Sequence, residues 1–293
     1  FDKTFLEAGN AAGITLAGDG ASVSGLSVAG RAAPGIFARG VKDVTLSGVV
    51  VRGGPVGINL QEIDGVRIEN CVVDGSLTGI TLDRVTRATV VNNTFTRADT
   101  AGIYLSEVAE SALFNNAVVN AGVGIVVARP GKGLRIDHNL YLATSTGKFN
   151  EEFIRVSLGP WRDVSGGLDA ASVCLPCEFR DAAKGDYTPV SKLDWNPGVP
   201  TTAGWGVATF GDAKAPATDM AGAARPANPG LGAREAPTAK VATDGTFKVA
   251  SDAGTKSAGV FKPDGTAVRY LFRDLPLKAG EYGFVLPSRS ELG

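Results

Sequence analysis

Charge of one sign, aromatic side chains and long apolar runs are all scarce in this sequence of 293 residues. Lys and Arg number 29 against 30 Asp and Glu, so a net charge of −1 offers no basic field for a polyanion, and nucleic acid is not an expected partner. Aromatic residues make up only 7%, which argues against a bulky globular core. No apolar run approaches the length of about 18 residues that a transmembrane helix needs, so no membrane span is expected.

The N-terminal residues Phe1 to Phe5 lack the basic segment, apolar run and small-residue cleavage site of a signal peptide. If the protein is exported, we expect that signal to lie upstream of the given sequence.

Cysteine and histidine are also rare. Three cysteines cannot form a disulfide-dense scaffold; Cys71 stands alone, while Cys174 and Cys177 form one CxxC pair. That pair is compatible with a local disulfide, a redox site or half of a zinc site, and we favour a structural or disulfide role. Because there is no second CxxC and His138 is the single histidine, we expect no complete zinc site and a structural role for His138.

A Gly-Ile dipeptide recurs at steps of 22, 22, 22, 23 and 22 residues. Alternating apolar and variable positions follow each copy, which is typical of a strand with one buried face, and a second alternating segment follows in each unit. Neither the leucine consensus nor the helical return of a leucine-rich repeat is present. The sequence therefore predicts an all-β fold, a right-handed parallel β-helix with coils of about 22 residues. The dipeptides begin at Gly13, Gly35, Gly57, Gly79, Gly102 and Gly124.

Two columns of asparagine follow the second strand of each coil, and we expect them to hydrogen-bond between coils and to form sharp bends. Cys71 occupies an asparagine position of its coil, so we interpret it as an inward core thiol. The columns are Asn70, Asn92 and Asn115, and Asn93, Asn116 and Asn139.

The coils, together with the motifs that follow them, resemble the pectate-lyase-like superfamily of right-handed β-helix proteins over roughly residues 9–237. Those motifs include the segments 136–141, 158–162, 167–172, 186–189, 219–226 and 231–235. The resemblance implies an extracellular bacterial protein whose tail packs back along the rod. It implies no single activity, because such proteins include lyases, hydrolases, epimerases and members with no known activity.

Two domains are predicted. Residues 1–237 would form the β-helix, with an irregular covering tail over 143–237. Residues 241–293 contain short alternating runs and the turn signals Asp244-Gly245 and Asp264-Gly265. They resemble the start of a flagellar-hook-capping-protein-like immunoglobulin-type module, which implies a partial β-sandwich. Because such a sandwich normally needs more strands, the chain is expected to be a fragment of a longer protein.

Candidate functional residues are the outward positions of the coils, since inward positions fill the core. We predict a polysaccharide-binding face with Phe37, Asn59, Gln61 and Tyr104 as the substrate-binding residues. The alternative for this face is a solvated surface partly covered by the tail.

Catalytic chemistry would need more than this face. Elimination on a uronate needs a cation, or Ca²⁺, to neutralise the carboxylate and a base to remove the adjacent proton, whereas hydrolysis needs two carboxylates. Arg39, Arg67 and Asp83 are the candidates for such roles, and bound Ca²⁺ is a further option. If the protein is an enzyme, we expect a polysaccharide lyase or a glycoside hydrolase.

Two functions follow from this sequence. The first is an extracellular bacterial protein, secreted or at the cell surface, that binds or processes polysaccharide on the outward face of its coils. The alternative is a non-catalytic structural or adhesive segment of a cell-surface protein, with other domains of that protein as partners.

Overall fold

A computed structural model describes residues 5–7, 10–149, 157–174, 177–190, 202, 204–236, 246–251, 254–261, 267–277 and 280–285. Sixteen parallel-paired strands form a right-handed β-helix, as predicted. They are β1 (Phe5–Glu7), β2 (Ile14–Leu16), β3 (Ser22–Ser24), β4 (Ser27–Ala29), β5 (Ile36–Arg39), β6 (Lys42–Ser47), β7 (Val50–Arg52), β8 (Val56–Glu69), β9 (Val72–Asp74), β10 (Thr78–Val91), β11 (Thr94–Thr96), β12 (Ala101–Val108), β13 (Ala112–Phe114), β14 (Ala117–Pro130), β15 (Arg135–Asp137) and β16 (Leu140–Phe149).

Each coil contributes to three parallel sheets. The first sheet contains β2, β5, β12, the N-terminal halves of β8 and β10, and the C-terminal parts of β14 and β16. The second contains β3, β6, β13, β15 and the C-terminal halves of β8 and β10. The third contains β1, β4, β7, β9, β11 and the N-terminal parts of β14 and β16.

The Gly-Ile repeat lies in exact register in the first sheet. Ile58 pairs with Ile36 before it and Ile80 after it, and every isoleucine of the repeat from Ile36 onward is fully buried. The glycine is required because the third sheet leaves no room for a side chain. A Cβ on Gly57 would lie only 2.2 Å from Cγ1 of Val73 in that sheet. The repeat is therefore a packing requirement of a narrow core between the first and third sheets.

The two asparagine columns have different positions, and both are structural. Asn70, Asn92 and Asn115 adopt a left-handed backbone with φ of 54° to 56° at the corner after the second sheet, and His138 continues this column with φ of 54°. The second column points inward, where Nδ2 of Asn93 donates to Oδ1 of Asn116 at 3.1 Å. Cys71 is buried at the start of the inward column, and its backbone N–H donates to Asn93.

A helix and a tail complete the β-helix unit. The helix α1 (Leu158–Val164) buries Leu158 and Trp161 in the core beside β16, and Phe149 meets Trp161 edge-on at 5.9 Å. The tail contains the hairpin of β19 (Thr209–Phe210) and β20 (Ala213–Lys214). Its Gly232 N–H donates to the carbonyl of Asn115, so this part of the tail lies along the coils.

Two compact units make up the chain, with Phe1–Val173 and Thr202–Glu235 in one, and Cys174–Thr201 and Ala236–Gly293 in the other. The second unit has the antiparallel pair β17 (Glu178–Asp181) and β18 (Asp186–Val190), joined by the short 3₁₀ helix Ala182–Lys184. Its later strands also pair antiparallel, β21 with β24 and β22 with β23, as a partial sandwich would. They are β21 (Thr246–Ser251), β22 (Gly254–Phe261), β23 (Ala267–Leu277) and β24 (Gly280–Val285).

The predicted boundaries near 143, 237 and 241 stay predictions, and the two Asp-Gly turn signals lie outside the described residues. Cys174 is exposed and Cys177 is buried, and a structural or disulfide role for this pair stays a prediction. Among the described residues, no helix has both the length and the apolar character to cross a membrane.

Candidate functional site

The predicted polar and aromatic face lies on the outside of the first sheet. Phe37 pairs in register with Asn59, and Arg39 pairs with Gln61, so these side chains form two adjacent columns. Tyr104 follows two coils later, and all of these residues are at least partly exposed. Gln61 Nε2 donates to Oδ1 of Asn59 at 3.2 Å, which orients both amides.

This face is interrupted by burial toward the last coils. Ala101, Val123, Val126 and Ala128 point outward from the first sheet, yet each is at most 9% exposed, and Tyr104 packs against them. The exposed part of the face is therefore confined to the earlier coils.

Arg39 and Asp83, two of the catalytic candidates, belong to one network of ion pairs at the corner after the first sheet. Arg39 donates through two nitrogens to Glu62 at 3.0 and 2.9 Å. Arg84 bridges Glu62 and Asp83, at 2.9 Å from each. The hydrogen bonds from Arg39 and Arg84 lower the pKa of the Glu62 carboxyl. Arg39 and Asp83 are thus both engaged in ion pairs at this corner.

Arg67, the third candidate, lies on a different face. It points outward from the second sheet, where Nε donates to Glu69 at 2.7 Å and an Nη donates to the carbonyl of Lys214 at 3.0 Å. The structure therefore brings Arg39 and Asp83 together and separates Arg67 from both.

A cleft of about 630 Å³ lies beside Arg67 on the outside of the second sheet. Its floor has the small outward residues Thr89 and Ala112, which occupy consecutive coils between Arg67 and Arg135. We call this the second-sheet cleft. Its charged lining residues are Arg67, Arg87, Glu110, Arg135, Asp212 and Lys214.

The hairpin of β19 and β20 forms one wall of the second-sheet cleft. Phe210 packs on Phe114 with ring centroids 5.6 Å apart and on His138 at 5.9 Å. The Arg135 guanidinium lies 5.7 Å from the Phe210 ring centroid and also pairs with Asp212. These contacts hold the wall by apolar packing and by a cation–π interaction.

Asp64, at the edge of the cleft, holds Arg87 in place. Its oxygens accept from Nε and an Nη of Arg87 at 2.6 and 2.8 Å, and Oδ1 also accepts from Thr86. These hydrogen bonds lower the pKa of Asp64 to about 2, and the bond from Arg87 has the largest effect. The carboxylate is thus ionised at any ordinary pH and is a poor proton donor or acceptor.

Asp169 is a fully buried carboxyl group at the end of the inward asparagine column. It accepts from Trp161 Nε1 at 2.8 Å, the Tyr141 hydroxyl at 3.2 Å and Ser172 Oγ at 2.5 Å. Burial raises the pKa of Asp169 and raises that of Tyr141 well above its ordinary value. Because its surroundings are closed to solvent, we assign this cluster to stability.

Among the described residues, no group of three or more His, Cys, Asp and Glu side chains is arranged to hold a metal ion.

The second-sheet cleft is not among the sites that the sequence predicts. The signal that the sequence contained was the pair of small outward residues, Thr89 and Ala112, between two arginines at coil spacing. The wall could not be inferred, because Asp212 lies 77 residues from its partner Arg135.

Residues 3–140 match the family model described as "Right handed beta helix region". No curated protein matches the sequence. The chain is therefore similar to right-handed β-helix proteins over its coils.

Proposed function

We propose that the protein binds polysaccharide in the second-sheet cleft without cleaving it. The observation that carries this proposal is an open cleft whose small floor is surrounded by planar guanidinium and carboxylate groups. Such groups donate to and accept from sugar hydroxyls, and the partly exposed Thr89 leaves room for a sugar ring at the floor.

Binding rather than cleavage is supported by the state of the candidate catalytic groups. Arg39 is paired with Glu62, Asp83 with Arg84 and Arg67 with Glu69. A general base must be within reach of its proton and must have a pKa suited to the transfer. The hydrogen bonds from Arg39 and Arg84 lower the pKa of Glu62, which weakens this carboxylate as a base.

An extracellular location, secreted or at the cell surface, belongs to this proposal, as does a relationship to the pectate-lyase-like superfamily. We also propose that the antiparallel strands from Thr246 onward are part of an immunoglobulin-type module. The repeat match supports the superfamily relationship, and the antiparallel pairing supports the module, both at the level of fold.

A structural or adhesive segment of a surface protein is the second candidate. It is favoured by the burial of outward residues on the first sheet, such as Val123 and Val126, and on the third sheet, such as Val72 and Ala117. Covered faces are typical of a spacer. A complete lack of polysaccharide binding would favour this candidate.

The test is calorimetry of the full chain against a panel of soluble neutral and acidic polysaccharides. Thr89→Trp places a bulky ring on the cleft floor, so we expect at least a tenfold loss of affinity. Thr45→Trp is the matched control, because Thr45 points outward from the same sheet two coils away and does not line the cleft.

Two outcomes would overturn the proposal. One is equal binding by the unchanged chain and Thr89→Trp, which would place the ligand elsewhere. The other is the release of new reducing ends or unsaturated ends from the bound polysaccharide, which would make the protein an enzyme.

A further inference from the structure

The charges around the second-sheet cleft are balanced within the chain. Three arginines line it, and each has a carboxylate partner in a neighbouring position. The pairs are Arg67 with Glu69, Arg87 with Asp64, and Arg135 with Asp212. The guanidinium groups therefore present hydrogen-bond donors without an uncompensated positive field.

Two lining charges remain, and they are of opposite sign. Within the part of the chain that the structure describes, neither Lys214 nor Glu110 has an ion-pair partner. One ammonium and one carboxylate offer a donor and an acceptor to the same ligand. An anionic group bound near Lys214 would also meet Glu110 and the carboxylates of the arginine pairs.

The charged residues that line the cleft extend over several coils, which fits an extended ligand. Arg67, Thr89, Ala112 and Arg135 pair in register on successive coils. Three steps between parallel strands span about 14 Å, which is more than one polar group can occupy. The two arginines thus lie at the ends of this row, with the partly exposed Thr89 and the buried Ala112 between them.

We infer that the ligand of the second-sheet cleft is a neutral, hydroxyl-rich polysaccharide segment and not an acidic one. This inference rests on the proposed function and specifies its substrate class. Sugar hydroxyls both donate and accept, so they can satisfy guanidinium and carboxylate groups together without adding charge.

Matched polysaccharide pairs test this inference by calorimetry. The probes are dextran against dextran sulfate, and fully methyl-esterified galacturonan against polygalacturonate, since each pair shares one backbone. We expect the neutral member that binds to exceed its acidic partner by at least tenfold in affinity. Its affinity should change less than about threefold with added salt, because binding releases few counterions.

Glu110→Gln and Lys214→Gln give a second, independent readout. Removing the Glu110 carboxylate leaves a net positive cleft, so we expect binding of the acidic partner to rise at least fivefold relative to the neutral one. In Lys214→Gln, which removes a positive charge, binding of the acidic partner relative to the neutral one should fall. Tighter binding of the acidic member by the unchanged chain would overturn the inference alone, whereas no binding of any polysaccharide would overturn the proposed function.

Discussion

Asn139 donates from Nδ2 to the buried carboxyl group of Asp169 at 3.2 Å, so the inward asparagine column ends on an acid instead of a further amide. Asn116, which lies one coil before Asn139, donates from its own Nδ2 to Oδ1 of Asn139 at 3.0 Å. Asp169 also accepts from Trp161 of α1 and from Ser172. One side chain therefore connects the stacked coils to the helix and loop beyond them.

Asp169→Ala should lower the free energy of unfolding by about 3 kcal/mol or more, because it leaves several buried donors without an acceptor. Those donors are on Asn139, Tyr141 and Trp161. Urea denaturation followed by tryptophan fluorescence measures the loss. Asp163→Ala is the control, since Asp163 is exposed in the same segment and should change stability by less than about 0.5 kcal/mol.

The same carboxyl group should make stability depend on pH. Its pKa is raised in the folded chain above the ordinary value of 3.8, so between these two values the folded state binds more protons than the unfolded state. The stability that this protonated carboxyl group contributes to the folded state is therefore fully present below the ordinary pKa. It is lost as pH rises through the raised pKa.

Asp169→Asn cannot titrate, so the stability of the unchanged chain relative to this variant should fall as pH rises. Denaturation curves between about pH 3 and 8 measure the difference. Asp163→Asn should follow the unchanged chain. Parallel curves for Asp169→Asn and the unchanged chain would contradict the prediction.

The inward column predicts losses of stability of different size at two of its positions. Asn116→Ala removes hydrogen bonds to Val90 and Asn139 and leaves the Asn93 N–H without its acceptor, so we expect a loss of about 3 kcal/mol. Cys71→Asn places an amide where the column begins and should cost less than about 1 kcal/mol.

Thermal denaturation of these two variants beside Asn10→Ala, which alters an exposed asparagine of the first coil, checks this order. If Cys71→Asn were as destabilising as Asn116→Ala, the column would not extend to position 71.

The tail should depend on Arg225, whose side chain is 2% exposed and pairs with Glu235. It also donates to Oδ1 of Asn70 at 2.8 Å, which ties the tail to the outer asparagine column. Arg225→Met removes these bonds and should destabilise the chain by about 3 kcal/mol. We expect faster trypsin cleavage within 204–235, mapped by mass spectrometry. Lys132→Met, at an exposed turn, should leave the cleavage rate unchanged.

The coils could be predicted because their signal is periodic. A residue that packs above Ile58 must lie one coil away, so a step of 22 or 23 residues gives the register directly. The same arithmetic predicted the columns with Phe37, Asn59 and Tyr104. The same spacing brings Arg39 within one coil of Glu62, with which it forms an ion pair.

The sequence by itself determined the repeat, the inward and outward positions, and the asparagine columns, because each depends on contacts between neighbouring coils at one constant spacing. Only the tertiary structure decided where the tail lies and which faces it covers. It also decided that the hairpin of the tail forms one wall of a cleft beside Arg67. Contacts such as Arg135 with Asp212 and Arg225 with Asn70 have no period, and they form only after an aperiodic tail folds back on finished coils.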